Sequence, residues 1–275
     1  MENFRKWGNP PYNVILIHGG PGAIGSLEPL AKELSENFGV LEHLQTKTSL
    51  EDEMKELNSI IERNADVPVT IIGHSYGAWF ATLFADKYPL DIRKLILVSS
   101  GPFKNENAKD IMKTRIERLN EEQAKNAEEY MNIISDKKEG NKKDALKKFG
   151  GLMTQTDSYD LIDNPPKSDV NFEIFDSLSK EVSDLRYDEK LLDSLESVEI
   201  PITFIHGSYD PHPADKIEDT VKKHGNNIKF FIFKKCGHYP WLEKNVRKDF
   251  INLLDKEIWF FLLKKGVIIC WEIAD

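Results

Sequence analysis

Between Tyr12 and Ser100, short β-branched runs alternate with longer amphipathic ones, and this rhythm restricts the chain more than any other feature. Strands separated by helices cannot pair as hairpins. They form βαβ units, with parallel strands in one sheet and helices on its faces. Residues 13–17 read as a continuous apolar strand, as in a sheet covered on both sides. A glycine-rich loop follows, then a helix over about residues 26–37 with Leu27, Leu30, Ala31 and Leu34 on one face. Residues 39–44 read as a second strand. Thr48 and Glu51 have capping-box spacing ahead of the stripe Leu50, Met54, Leu57, Ile60 and Ile61. Residues 67–72, 78–87 and 92–99 supply strand, helix and strand.

The rhythm stops near residue 103. As far as residue 194 the chain is polar and its periodicity helical, as in Ile111, Ile116 and Leu119 and again in Tyr130, Ile133 and Ile134, with a break at Asn164-Pro165-Pro166. Strand and helix then return over residues 200–206, 214–224, 228–233 and 246–263. A length of 275 residues permits one large domain or a domain with an insertion. The resumed rhythm selects the second: an α/β core of residues 1–102 and 195–275, interrupted by a helical cap over residues 103–194.

Composition excludes several classes of function. With 40% hydrophobic and 30% charged residues the chain is neither disordered nor collagenous. Its net charge of −9 repels phosphate backbones and anionic lipid, so nucleic acid is not an expected partner. Cys236 and Cys270 form neither a disulfide framework nor a metal-ligand spacing, which fits a reducing compartment. No apolar run has the length of an export signal or a membrane span, so a cytoplasmic location is expected. Residues 258–275 form a surplus apolar tail split by Lys264, Lys265 and Gly266.

The strongest local motif is Gly73-His74-Ser75-Tyr76-Gly77, placed after an expected strand and before an expected helix. A serine on so sharp a turn is lifted clear of the sheet, and glycines two residues to either side let the chains pass. The turn also sets Ser75 at a helix N-terminus, which favours developing negative charge. Serine is a weak nucleophile and needs a base oriented by a third group, in the chain order Ser, acid, His for this turn type. Of seven histidines, His206, His212, His224 and His238 follow the insertion. His206 ends a strand and His224 a helix. His238 lies in the loop after the last strand and is the expected base. Asp210, in the loop after the preceding strand, is the expected acid; Asp215 is the alternative, but an acidic residue opening a helix is already explained by the dipole.

The loop His18-Gly19-Gly20-Pro21-Gly22 can aim a backbone N–H at an attacked carbonyl, so the amides of Gly20 and Tyr76 are the expected oxyanion hole. A phosphate loop is the rival reading, but neither phosphate-binding glycine pattern is present. Trp79, Phe172 and Phe175, with Met153 and Tyr159, are candidates for an apolar substrate pocket, although aromatics at helical spacing more often serve the core.

Together these four motifs resemble the α/β-hydrolase superfamily. The resemblance implies a mostly parallel sheet flanked by helices, an inserted helical cap, a serine hydrolase acting on a small-molecule ester or amide, and no metal or organic cofactor. The glycine-rich loop and the Gly-x-Tyr-Asp setting of the acid resemble the proline iminopeptidase branch, which would add short peptides to the substrates. His74 and Tyr76 depart from that branch, and the loop from Gly237 to Glu243 is closer to general esterases. An aminopeptidase also needs cap carboxylates for the substrate's amino terminus, for which Glu121, Glu122, Glu128, Glu129 and Glu173 are available, although acidic residues on exposed helices more often form solvated faces. A binding or sensing protein on the same fold is the non-enzymatic alternative. A lyase, or a hydrolase of carbon–carbon bonds, would use the same triad. The superfamily's two leading strands are expected to be absent, since the first strand already begins near Asn13. The apolar tail is expected to pack on the core or cover a sheet edge, with a homodimer surface as the alternative.

Overall fold

The computed structural model describes residues 2–136, 140–165 and 169–263. In chain order the elements are β1 (Phe4–Trp7), β2 (Tyr12–Ile17), α1 (Glu28–Leu34), β3 (Gly39–His43), α2 (Leu50–Asn64), β4 (Val69–His74), α3 (Tyr76–Lys87) and β5 (Ile92–Val98). Five helices follow: α4 (Ile111–Glu117), α5 (Glu121–Ser135), α6 (Lys142–Thr156), α7 (Phe172–Tyr187) and α8 (Lys190–Ser197). Then come β6 (Ile202–Gly207), α9 (Ala214–His224), β7 (Ile228–Phe233) and α10 (Arg247–Leu263).

The sheet has the order β1-β3-β2-β4-β5-β6-β7, parallel throughout except for β1, which runs antiparallel to β3. Successive residues of a strand point to opposite faces, and both faces are covered. Val14, Leu16, Ile72 and Ile96 meet α1 and α10 on one side, while Ile15, Ile17, Ile71 and Leu95 meet α2, α3, α8 and α9 on the other. β3 and β4 lie on opposite sides of β2, so the loop leaving β2 leads to a helix on one face and the loop leaving β4 to a helix on the other. Such a parting of loops at the carboxyl ends of strands is where open α/β sheets bind ligands.

Two details differ from the sequence reading. A leading strand is present: β1 pairs along its whole length with β3, from Phe4 opposite His43 to Trp7 opposite Val40. Arg5 and Lys6 at its centre hid it, as they belong to an edge strand rather than an apolar one. Helix α2 is capped by Ser49, whose hydroxyl accepts the Asp52 amide at 3.2 Å, one residue beyond the expected Thr48.

The stretch between β5 and β6 does not sit apart from the core. Ile174, Leu178 and Val182 of α7 and Leu191, Leu192 and Leu195 of α8 belong to the same buried cluster as α2 and α3. At the other end of the chain Ile258 is fully buried, and the Trp259 ring lies 5.3 Å from that of Phe38. Residues 264–275, the rest of the apolar tail with its alternative role as a dimer surface, lie outside the described residues. No helix among the described residues is long and apolar enough to cross a membrane.

Candidate active site

Ser75 sits between the end of β4 and the start of α3 with φ 53° and ψ −116°, a backbone conformation that costs a non-glycine residue of the order of 1–3 kcal/mol. Its flanking glycines are there for steric reasons. A Cβ on Gly73 would stand 2.3 Å from the Gly77 carbonyl oxygen, and one on Gly77 would stand 2.3 Å from that of Ile17. The turn is fixed by the Ser75 amide donating to Val98 O (2.9 Å) and the Ala78 amide donating to Ser75 O (3.0 Å). Although Ser75 occupies the N-cap of α3, its hydroxyl makes no capping hydrogen bond.

The glycine-rich loop after β2 lies directly against this turn. A Cβ on Gly19 would approach Ser75 Cβ to 2.9 Å and His74 Nδ1 to 2.4 Å. Gly20 takes a positive φ of 57° and closes a turn in which its carbonyl accepts the Ala23 amide at 2.9 Å. The Gly22 amide donates to Gln45 Oε1 (2.9 Å), and the Gly22 carbonyl accepts the Asn171 amide (3.0 Å) just before α7. Gly20 and Tyr76, the expected oxyanion donors, therefore flank Ser75 on the loop and on α3.

Asp210 and His238 come from the loops after β6 and β7. His238 Nδ1 donates to Asp210 Oδ2 at 2.7 Å, and both residues are buried. Burial by itself would raise the Asp210 carboxyl, but the charges and hydrogen bonds of His238 and His212 outweigh it and hold the group well below the usual carboxylate range. His212 is the member that sequence reasoning passed over. Its ring Nδ1 and its backbone amide both donate to Asp210 Oδ1, at 2.7 and 2.9 Å, and its ring stacks on His238 with centroids 4.6 Å apart. The available signal was its position two residues after Asp210, where an aspartate's side chain folds back onto the chain. Asp215, the alternative acid, is exposed in the first turn of α9, and His224 pairs with Glu196 at 2.5 Å.

Three other histidines stand at the carboxyl ends of the parallel strands. Burial brings His18 and His206 down to about 4 and His74 well below its ordinary value, so all three are neutral at pH 7. Neutral His74 donates from Nε2 to the His238 carbonyl at 3.0 Å and meets the Trp241 ring edge-on at 4.7 Å.

The loop that carries His238 is held from the inserted segment. Buried Glu243 accepts the amides of Gly237 (2.7 Å), Tyr159 (2.8 Å) and Asp160 (2.6 Å), while the His238 amide donates to Asp157 O at 2.7 Å. A Cβ on Gly237 would lie 2.0 Å from that same oxygen, so only glycine fits. The Asp157 carboxylate is gripped by Arg115 through Nε (2.9 Å) and Nη2 and by Thr156 Oγ1 (3.0 Å). Burial works against the charge on Arg115, but Asp157 more than compensates and keeps it above its ordinary value. Nothing local in the sequence announced this clamp.

A cavity of about 210 Å³ adjoins the site, bounded by Pro21 of the glycine-rich loop, Tyr76 and Trp79 of α3, and one side of α7. Of the three aromatic pocket candidates, Trp79 lines it. Phe172 and Phe175 do not; they pack on each other at 6.3 Å at the start of α7, with Lys142 5.1 Å above the Phe172 ring. A larger open depression of about 530 Å³ between β1 and α2 contains none of the site residues. Glu121, Glu122, Glu128, Glu129 and Glu173 all face solvent. Asp210, His212 and His238 bring donor atoms within 4.8 Å of one another, as do His43, Glu53 and Glu56. In the first trio a cation would have to displace both Nδ1 protons from the Asp210 carboxylate.

The profile of a family described as serine aminopeptidase, S33, matches residues 8–245. No curated protein matches the chain in sequence. Among solved structures, the protein VinJ is 13% identical with a TM-score of 0.68 over 94% of each chain. The proline iminopeptidase of Mycobacterium smegmatis is 14% identical with a TM-score of 0.63 over 96% of each chain. The monoacylglycerol lipase of Paleococcus ferrophilus is 17% identical with a TM-score of 0.60, covering 94% of this chain and 98% of its own. At such identities the likeness is one of fold.

Proposed function

Because the chain belongs to the serine aminopeptidase S33 family of α/β-hydrolases and is a hydrolytic enzyme, we propose that it cleaves a small-molecule ester or amide through an acyl-enzyme. Ser75 is the nucleophile, His238 the base and Asp210 the residue that orients it. Ser75 Oγ attacks the carbonyl carbon as His238 Nε2 takes its proton. The oxyanion that forms is stabilised by the amides of Gly20 and Tyr76, and His238 returns the proton to the leaving alcohol or amine. Water then repeats the sequence on the acyl-enzyme and frees Ser75.

The observation that carries this reading is the 2.7 Å bond from His238 Nδ1 to a buried, ionised Asp210. It spends Nδ1 on the acid and leaves Nε2 as the basic nitrogen, while Ser75 keeps an uncapped hydroxyl on a strained turn. The solvent-facing Glu121, Glu122, Glu128, Glu129 and Glu173 offer no buried receptor for an amino terminus, which favours a small ester or amide over a peptide.

The test is reaction with a serine-directed fluorophosphonate beside turnover of acyl esters of graded length and of proline and alanine arylamides. Wild type is labelled and turns over esters, and Ser75→Ala loses both. Labelling that persists unchanged in Ser75→Ala removes the nucleophile, and a preference for the arylamides replaces the esterase with an aminopeptidase.

A further inference from the structure

The cavity beside Ser75 is faced by an unusual stripe of α7. Ser179, Val182, Ser183 and Arg186 follow the spacing i, i+3, i+4, i+7 and so share one side of the helix. Of the four only Val182 is buried, while Ser179 and Arg186 are partly buried and Ser183 is exposed, so the stripe forms the margin of the apolar side that α7 turns to the core. Here it presents two hydroxyls and a guanidinium to Tyr76 and Trp79.

Arg186 is half-buried and poorly served by the protein. Its Nε donates to Asn105 Oδ1 at 2.8 Å, and among the described residues it has no other hydrogen-bond acceptor and no carboxylate partner. Burial lowers its pKa, and no neighbouring charge counters that. The other buried cations differ. Arg115 has Asp157, Lys94 has Glu257, and Arg93 donates to Thr70 Oγ1 and Asn13 O. Glu181, on the same helix, is turned toward α2, where it accepts the Leu50 amide at 2.9 Å. Among the described residues neither terminal amino group of Arg186 thus has a hydrogen-bond acceptor, and their fork matches a carboxylate.

The position of the group is fixed. Its Cζ lies 5.4 Å from the Trp79 ring centroid, and Trp79 is held by its Nε1–H donating to Gly101 O at 3.0 Å. Helix α7 is tied to the glycine-rich loop by the Asn171 amide on Gly22 O. The cavity lies next to the Ser75 turn, although Ser75 itself does not line it, because Tyr76 follows Ser75, Trp79 lies one turn further along α3, and Pro21 follows Gly20.

We propose that this cavity is a subsite for a carboxylate carried by the substrate, received by Arg186 with Ser179 and Ser183 beside it. A volume of about 210 Å³ is below the roughly 300–1,000 Å³ of sites for drug-sized ligands, so the portion that enters is short. The substrate class is then a short ester or amide that bears a free carboxylate, such as a half-ester of a dicarboxylic acid. This rests on Ser75 being the nucleophile.

The experiment compares kcat/KM for 4-nitrophenyl hydrogen adipate with that for the neutral 4-nitrophenyl hexanoate in wild type, Arg186→Gln, Arg186→Lys and Arg93→Gln. In parallel, the Tm of each protein is measured with free adipate and with uncharged adipamide. Wild type is expected to favour the anionic ester by on the order of 10- to 100-fold, the range for a charge-assisted bond. Arg186→Gln abolishes that preference, Arg186→Lys keeps part of it, and Arg93→Gln keeps all of it. Adipate, but not adipamide, raises Tm only while Arg186 is present. Equal use of the two esters by wild type, or a preference that survives Arg186→Gln, overturns the subsite and leaves the hydrolase reading standing. If adipate raises Tm through Arg186 but Ser75→Ala turns over both esters as wild type does, the cavity holds a carboxylate while the serine mechanism, and the substrate role that rests on it, falls.

Discussion

Acidification should unfold this protein through the histidines around its site before it titrates the carboxylates. His18 and His206 are fully buried, and burial brings each to about 4 in the folded state, against about 6.5 in the unfolded chain. Between those values the unfolded chain binds more protons than the folded one, so stability falls as pH falls. The loss starts near pH 6.5 and is complete below about pH 4. A tenfold weakening of proton binding on folding is worth about 1.4 kcal/mol, so each residue costs up to about 3.4 kcal/mol at the acid limit and about 2 kcal/mol at pH 5. The pair together removes about 4 kcal/mol by pH 5, a large share of the roughly 5–15 kcal/mol that holds a domain together. His74 and His212, also lowered, act in the same direction, whereas Glu42 and Asp255, whose pKa values are raised, oppose it.

Comparing variants isolates the histidine part, because Glu42 and Asp255 are common to all of them. Urea unfolding at pH 7.5 and pH 5.0 is measured for wild type, His18→Gln, His206→Gln and the double variant, with the m-value checked for constancy. Each single substitution should shrink the acid loss by about 2 kcal/mol and the double by about 4 kcal/mol. An acid loss in the double variant within about 1 kcal/mol of that of wild type refutes the reasoning. It would mean that water or relaxation lets these rings charge inside the folded protein.

Glu243→Ala orphans the amides of Gly237, Tyr159 and Asp160 and should cost about 3–5 kcal/mol in urea unfolding, whereas Glu243→Gln, which keeps a carbonyl acceptor, should cost about 1.5–3 kcal/mol. His212→Phe removes the Nδ1 donor to Asp210 while keeping the backbone-amide donor and a ring beside His238; kcat should fall on the order of tenfold while fluorophosphonate labelling of Ser75 persists.

What the sequence made legible was whatever repeats or is sterically forced. Val14 and Leu16 against Ile15 and Ile17 betray a strand buried on both faces, and the Gly73 and Gly77 bracket follows from contacts of 2.3 Å that no side chain survives. The pairing of His238 with Asp210 was expected because each lies in the loop after a strand. Edge strand β1 escaped notice because an edge needs only half an apolar face. Its Trp7 instead donates from Nε1 to Glu42 Oε2 (3.0 Å), a carboxylate buried in β3 whose solvation no pattern of apolar residues reveals. The clamp on the His238 loop escaped for another reason. Glu243 meets Tyr159 and Asp160 across more than eighty residues of chain, and a single carboxylate accepting three amides has no local signature.

That clamp also bears on how activity and specificity divide within the fold. The inserted stretch does two jobs with different segments. Residues Arg115 and Asp157 to Asp160 grip the His238 loop, whereas α7 walls the cavity next to the Ser75 turn. A substitution in the first segment should therefore lower kcat for every substrate, because it moves His238. One on the Ser179 to Arg186 side of α7 should instead redistribute kcat/KM among substrates, because it alters only what the cavity holds. Shared fold at identities of 13–17% carries over the sheet but not the choice of substrate, which the proposed subsite assigns here to the Ser179 to Arg186 face of α7. That face presents a guanidinium that has no carboxylate partner among the described residues.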